Sequence, residues 1–414
     1  MQSRARPRAV PPTTPPAPEV PGSATRPLDG VRVLDLTRLL PGAYATALLV
    51  SLGADVVKVE DPRGGDGLRV MPPYTATGES GVFVALCRGK RSIALDLKNT
   101  GGRDVLVDLV AHADVLIDSF RPGVLDRLGL GAAVLDAANP DLVHVSMTAY
   151  GDGERTTLPG HDLNVEGYAG ILGLSRGVDG APAMPALPFA DMATGLQAAL
   201  AVVSGLRVTE SRGGEAFRVD VTMLDSALSL AGIGQGAAIA TGDGPPTPDM
   251  LTGGLACYGI YRCGDGLEIA CGALEPQFFG RVAELVGDPS LAQVQYDVAG
   301  QDALRGRLTT LFGSRPRHEW LELLEDDQTC VTPVRSTADA LADPDLRARG
   351  VVTDVALSDG SLVAAARPAA WVPVAGSDPQ SDPQSAPALG GDGDTLLAEL
   401  GLDPVAVRAG GALG

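Results

Sequence analysis

From Gly30 onward, short β-branched runs alternate with longer apolar stretches of helical spacing. VRVLDL reads as a strand, PGAYATALLVSLG as a helix with proline near its start and Gly53 past its end, and ADVVKVE as a second strand. The alternation continues with RSIALDLK as a strand, RDVLVDLVAHA as a helix, then DVLIDSF and DLVHVSMTAYG as two further strands. Strands alternating with helices pair in parallel through right-handed crossovers, so this half predicts a doubly wound α/β domain. No G-x-G-x-x-G opens the first helix, which argues against a dinucleotide site of the usual kind.

A long apolar helix, MATGLQAALAVVSGLRV, follows Asp191. After VDVTMLDSALSLAGIG the chain passes through GDGPPTPDM, read as a connection, into a smaller region. That region has two strands, YGIYRC and LEIACGAL, and helices around 277–287 and 302–326. VVTDVALSDG and LVAAARPAAWVPV form a closing hairpin, SDPQSDPQ is a polar linker, and DTLLAELGLDP predicts a last amphipathic helix. The predicted organisation is a tail at 1–27, a large α/β domain at 28–222, a linker at 223–250, a small α+β domain at 251–345, and a return segment with linker and C-terminal helix at 346–414.

With 414 residues the chain can bury a sizeable core. It has no uninterrupted apolar run near the roughly 20 residues that cross a bilayer, so no membrane partner is expected. A net charge of -19 argues against nucleic-acid binding by bulk electrostatics and leaves any anionic ligand to a local basic cluster. The lysines are Lys58, Lys90 and Lys98, and the segment RGKRSIALDLK sets Arg88, Lys90, Arg91 and Lys98 against Asp96 alone. Without further context that segment reads as a solvated loop. Cys87, Cys257, Cys263, Cys271 and Cys330 are odd in number and lack C-x-x-C spacing, so neither a disulfide framework nor a metal site is indicated and a reducing compartment fits. The proline-rich first 27 residues lack the features of a secretion or transit signal, so a disordered tail on a cytoplasmic protein is expected.

Three ionisable residues stand among apolar or glycine-rich neighbours: His161 in PGHDLN, Asp191 in PFADMATG and Glu275 in CGALEPQF. Singly, each has a structural reading. Asp191 can cap a helix, His161 can bond a carbonyl, and Glu275 can end a strand at the surface. Together they suggest chemistry. An imidazole and a carboxylate on opposite faces of a substrate can take a proton from one side of an acidic carbon and return one to the other, with Glu275 orienting the histidine. Asp191 could instead attack a thioester carbonyl to give an acyl-enzyme anhydride.

Several ordered segments resemble the family III CoA-transferase (CaiB/BaiF) superfamily over about residues 28–403: PLDGVRVLDLTRLLPGAYATALLVSLGADVVKVEDP, RGKRSIALDLKN, DVLIDSFRPGVLDRLGLG, NPDLVHVSMTAYG and VTPV. Within it, GHDLN, GALEPQF and the interval from His161 to Asp191 are similar to the α-methylacyl-CoA racemase branch. The resemblance implies an acyl-CoA substrate, with no cofactor beyond the CoA that arrives as part of the thioester. It turns the basic segment into a candidate CoA site: Arg88, Lys90, Arg91, Ala94, Leu95, Asp96, Leu97 and Lys98, joined by Arg121. It makes His161, Asp191 and Glu275 the groups of a 1,1-proton transfer at the α-carbon of a 2-methyl-branched acyl-CoA, with Asn164 shaping the enolate region. It also implies an interlocked homodimer of Rossmann-like large domains, with Glu275 reaching His161 across the dimer. A CoA-transferase using Asp191 as nucleophile is the runner-up, and a non-catalytic acyl-CoA-binding homologue the third reading. Four features depart from the racemase pattern and bear on the acyl group and phosphate contacts: Val165, DMATG, Asp61 in place of a CoA-binding arginine, and GGLACYGIY.

Overall fold

Runs of Val, Ile and Leu buried on both faces are what a parallel sheet covered by helices demands. The computed structural model describes residues 26–176, 181–212, 215–244, 249–325, 328–368 and 384–413. Its first part runs β1 (Arg32–Leu36), α1 (Leu39–Ser51), β2 (Asp55–Glu60), α2 (Gly81–Cys87), β3 (Arg91–Ala94), α3 (Thr100–Val110), β4 (Val115–Asp118), the short α4 (Val124–Arg127) and α5 (Ala132–Ala138), and β5 (Val143–Thr148). Next come α6 (Asp162–Tyr168), α7 (Ile171–Leu174), α8 (Phe189–Arg212) and β6 (Phe217–Thr222). The six strands form one parallel sheet in the order β3-β2-β1-β4-β5-β6, as the alternating pattern predicts. One face packs on α1 and α8 through Val33, Leu49, Val143 and Val202. The other packs on α3 through Leu34, Leu106 and Leu116, and Leu396 from the C-terminal part of the chain joins the same core. α8 is long and apolar enough to cross a bilayer by composition, yet Ala198, Ala199 and Val202 seat it in this core.

The remainder continues with α9 (Met223–Leu230), α10 (Gly232–Thr241), β7 (Tyr258–Arg262), β8 (Glu268–Gly272), α11 (Pro276–Leu285), α12 (Ser290–Gln293), α13 (Gln301–Phe312), α14 (Arg317–Leu324), β9 (Val331–Pro333), α15 (Thr337–Leu341), α16 (Pro344–Ala348), β10 (Val352–Ala356), β11 (Leu362–Ala366), α17 (Gly393–Glu399) and α18 (Pro404–Ala409). β7, β8 and β9 make a small antiparallel sheet over its own core of Phe279, Phe312 and Trp320. β10 and β11 form the expected antiparallel hairpin.

Four local expectations are corrected. The strand expected over 91–98 ends at Ala94, because Asp96 accepts the Lys98 N–H at 3.0 Å and turns the chain. The connection expected over 223–250 is largely the helices α9 and α10. The helix expected over 302–326 divides into α13 and α14, with Pro316 at the N-cap of the second. β9 completes the small sheet where no strand was expected. The tail expected at 1–27 falls largely, and the linker repeat almost wholly, outside the described residues.

Candidate active site

In a doubly wound sheet, the crevice outside the carboxyl ends of the strands opens where the strand order reverses. Here β1 and β4 lie side by side at that point. A cavity of about 480 Å³ opens there, walled by Arg38 and Leu39 after β1, Ser119 to Pro122 after β4, Met147 to Tyr150 at the end of β5, and His161 and Asp191. Leu39 starts α1 with φ 64°, a region few non-glycine residues adopt, and its N–H donates to Asp66 Oδ1 at 3.1 Å.

His161 stands at the N-cap of α6. Its own N–H donates to Asn164 Oδ1 at 3.1 Å, so Asn164 fixes the histidine's backbone from one turn into the helix. Asn164 is exposed and is not among the residues that wall the cavity. The preceding residue must be small: a Cβ on Gly160 would fall 2.5 Å from the Tyr150 hydroxyl. Tyr150 is braced edge-on by Tyr168, ring centroids 5.6 Å apart.

Asp191 lies in the first turn of α8 rather than at its cap, and its N–H donates to Asp162 Oδ1 at 3.0 Å. Burial first, then the neighbouring carboxyl groups, Asp162 ahead of Glu166, push its carboxyl up to about 7. Glu166 is buried, accepts the Phe189 N–H at 3.1 Å through Oε1, and is likewise pushed up by burial and by Asp162. α8 itself is held by close approach to α1, where a Cβ on Gly195 would meet the Pro41 carbonyl oxygen at 2.8 Å. Another histidine of the large domain is already committed: His144 Nε2 lies 2.8 Å from Asp118 and its Nδ1 accepts from Arg218 at 2.8 Å.

A second cavity of about 280 Å³ adjoins the first, and Arg38 and Phe120 wall both. It is lined by Leu95, Asp96, Leu97 and Lys98, and by Asp61 and Arg63. Arg121 belongs to the first cavity, and Ala94 is buried beneath the segment.

The basic segment does not act as one cluster. Lys90 is buried, donating to Thr46 Oγ1 at 2.7 Å and the Ala43 carbonyl at 3.1 Å, with Asp35 3.6 Å away. Arg91 is tied to Glu399 at 2.6 Å and to Asp55. Arg88 is buried and donates to the Ala366 carbonyl. Three of the cations expected at a ligand therefore bind the fold together, because the end of α2, the turn after it and β3, which carry them, pack into the fold; Lys98 alone of the four faces the groove.

Sequence reasoning missed Arg38 and Arg63. Arg63 donates to Asp61 through Nε at 2.9 Å and Nη2 at 2.8 Å, so a guanidinium stands two residues after the position where the racemase pattern has one. Those bonds hold the Asp61 carboxyl at about 2. The spacing in EDPRGGD was the available signal. Glu275 is exposed at the N-cap of α11, makes no capping bond there, and is not among the residues walling the His161 cavity of its own chain.

Comparison with known proteins places this geometry. The chain is 30% identical over 92% of its length to acetyl-CoA:oxalate CoA-transferase of Acetobacter aceti, covering 97% of that protein. It is 31% identical over 83% of its length to α-methylacyl-CoA racemase of Mus musculus, covering 85% of that protein. A CaiB/BaiF family protein from Brucella suis superposes with a TM-score of 0.79 at 31% identity, covering 91% of this chain and all of that one. The model of the CoA-transferase family III matches residues 28–393, and the chain belongs to that family.

Proposed function

We propose that this family III enzyme moves a proton at the α-carbon of a 2-methyl-branched acyl-CoA. The observation that carries the reading is the pair His161 and Asp191 on one cavity, with the Asp191 carboxyl pushed up to about 7. An α-proton leaves to the neutral imidazole and a proton returns from the Asp191 acid on the other face; the reverse turnover exchanges the roles, and protons balance. A racemase needs both groups to serve as acid and as base, and a carboxyl titrating near neutrality does so. Asp191 is common to this chemistry and to acyl transfer; the His161 imidazole on the same cavity, which a carboxylate nucleophile does not require, is what favours proton transfer. The acyl chain would enter the larger cavity, with the nucleotide part of CoA along Leu95 to Lys98, Arg38, Arg63 and Arg121. The reaction so read needs no separate cofactor.

Glu275 would reach His161 from a second copy of the chain. α10 supports that assembly: none of its residues is buried, and Ile233 and Ile239 are 57% and 85% exposed. A cytoplasmic setting is proposed from the five free cysteines. In heavy water the α-position of a 2-methylacyl-CoA should take up deuterium, and His161→Ala and Asp191→Asn should each lower the uptake by about 10²–10⁴-fold. Failure of every branched acyl-CoA to exchange would refute the reading.

One observation favours a second reading, CoA transfer through an Asp191 acyl anhydride: a transferase that acts on acetyl-CoA and oxalate matches nearly end to end. In that case hydroxylamine would trap Asp191 during turnover with two carboxylates, and His161→Ala would be nearly silent.

A further inference from the structure

Behind the Asp191 wall, two carboxyl groups of α6 hold the first turn of α8. Asp162 Oδ1 accepts the Asp191 N–H at 3.0 Å, and Glu166 Oε1 accepts the Phe189 N–H at 3.1 Å. Glu166 is fully buried, and its second oxygen, Oε2, meets no hydrogen-bond donor. A buried carboxylate oxygen without a donor is costly, and a carboxyl so placed resolves the cost by taking a proton. Asp162, four residues back and so on the same face of the helix, is the carboxyl that acts on it.

We propose that Glu166 is a neutral acid that donates its proton to the Asp162 carboxylate, and that this proton-sharing pair positions Asp191 while keeping one negative charge beside it. The proposal rests on Asp191 being the reacting carboxyl. Glu166 then acts through Asp162 and α8 and touches no substrate, since the cavity wall excludes it.

Among the described residues none of the three carboxyls forms an ion pair with a cation; Arg155 stacks on the ring of Tyr168, on α6. α9 packs against α6 with Met223 and Ala227, and its own Asp225 points to solvent. α8 offers backbone N–H groups and Asp191 itself; α1 meets α8 through Pro41 and Tyr44. On the cavity side the charged or titratable groups are His161, Tyr150, Arg38 and Arg121. Burial together with the Asp162 charge accounts for the upward displacement of both Glu166 and Asp191.

The pair is tested on the full-length protein by infrared spectroscopy at about pH 6, where ordinary carboxyls are ionised. In an Asp191→Asn background, whose own acid is gone, ¹³C-glutamate labelling should shift a protonated-carboxyl carbonyl band, and Glu166→Gln should remove it. A band that survives Glu166→Gln, or that is absent beforehand, overturns the pair. Should Glu166→Gln not fold, adding Asp162→Asn to Asp191→Asn should move the band to the higher frequency of an unbonded acid; an unmoved band overturns the pairing.

The consequence for Asp191 is read from pH profiles. Glu166→Gln keeps a donor to Asp162 and keeps its charge, so the limb of α-proton exchange assigned to Asp191 should stay in place. Asp162→Asn should move it to lower pH by about one unit, a tenfold change in its acid constant. An unmoved limb in Asp162→Asn refutes the electrostatic role. The infrared result is independent of turnover, so absence of exchange with any acyl-CoA would sink the racemase reading and leave the pair standing.

Discussion

Two groups of ionisable side chains lie in the interior of the large α/β unit, and they differ in one respect: whether cations pair directly with the carboxyls. Around the end of β1, Asp35 sits among Lys58, Lys90 and Asp66, with Thr37 and Thr46 donating to it. Burial works against every charge there. Even so, the two ammonium groups and the threonines hold Asp35 below the ordinary carboxylate range, and Asp35 and Asp66 hold Lys58 protonated. At the junction of α6 and α8, Asp162, Glu166 and Asp191 gather with no ion pair to a cation among the described residues, and Glu166 and Asp191 are raised toward neutrality. Compensated charges build a scaffold that stays in one protonation state. Uncompensated ones make a site whose protons can move near neutral pH.

The sharpest way to break the comparison is to remove a cation from the first group. Lys90→Met strands Asp35 beside a single lysine and should cost about 3–5 kcal/mol of unfolding free energy, measured by urea titration. The same loss of a group in the second cluster should act on rate. Asp191→Asn should lower α-proton exchange by about 10²–10⁴-fold while the fold survives.

Stability should also follow pH through that residue. Its folded carboxyl titrates at about 7 against 3.8 ordinarily, so the folded state holds more protons between those values. Wild-type stability should therefore fall as pH rises from about 4 to about 7, and the melting temperature of Asp191→Asn should fall less over that window. A parallel pair of curves would contradict the shift.

Smaller effects probe what holds each cluster in place. Gly195→Ala presses on the Pro41 carbonyl and should cost about 1–3 kcal/mol, with exchange reduced because α8 carries Asp191. Arg63→Ala lies on an exposed rim and already shares its charge with Asp61, so KM for the acyl-CoA should rise only a few-fold with kcat unchanged.

Much of this was legible in the sequence, and the reason is periodicity. The β-branched runs that became β1, β2, β4 and β5 are bounded by turn residues and buried on both faces, so hydrophobic pattern alone locates them. His161 and Asp191 stood out as polar residues among glycine and apolar neighbours, and the structure brings both to one cavity. Composition misled at Lys90 and Arg91. Their charge suggested solvent or ligand, whereas their partners, Asp35, Asp55 and Glu399, come from distant parts of the chain that no local pattern reveals. The acid pair was hidden for the same reason: Glu166 reads as a surface residue until α8 closes over it.

Leu39 ties the scaffold to the mouth of the cavity. Its left-handed backbone persists because Asp66, which anchors Lys58 at 2.7 Å, also accepts the Leu39 N–H. A stability engineer would place glycine or asparagine there to relieve about 1–2 kcal/mol of conformational cost. The side chain lost in doing so is one that walls the cavity of His161 and Asp191. The position is thus a trade between robustness and the shape of that cavity, and a library that reshapes it has reason to vary residue 39 while leaving Asp66 and Lys58 untouched.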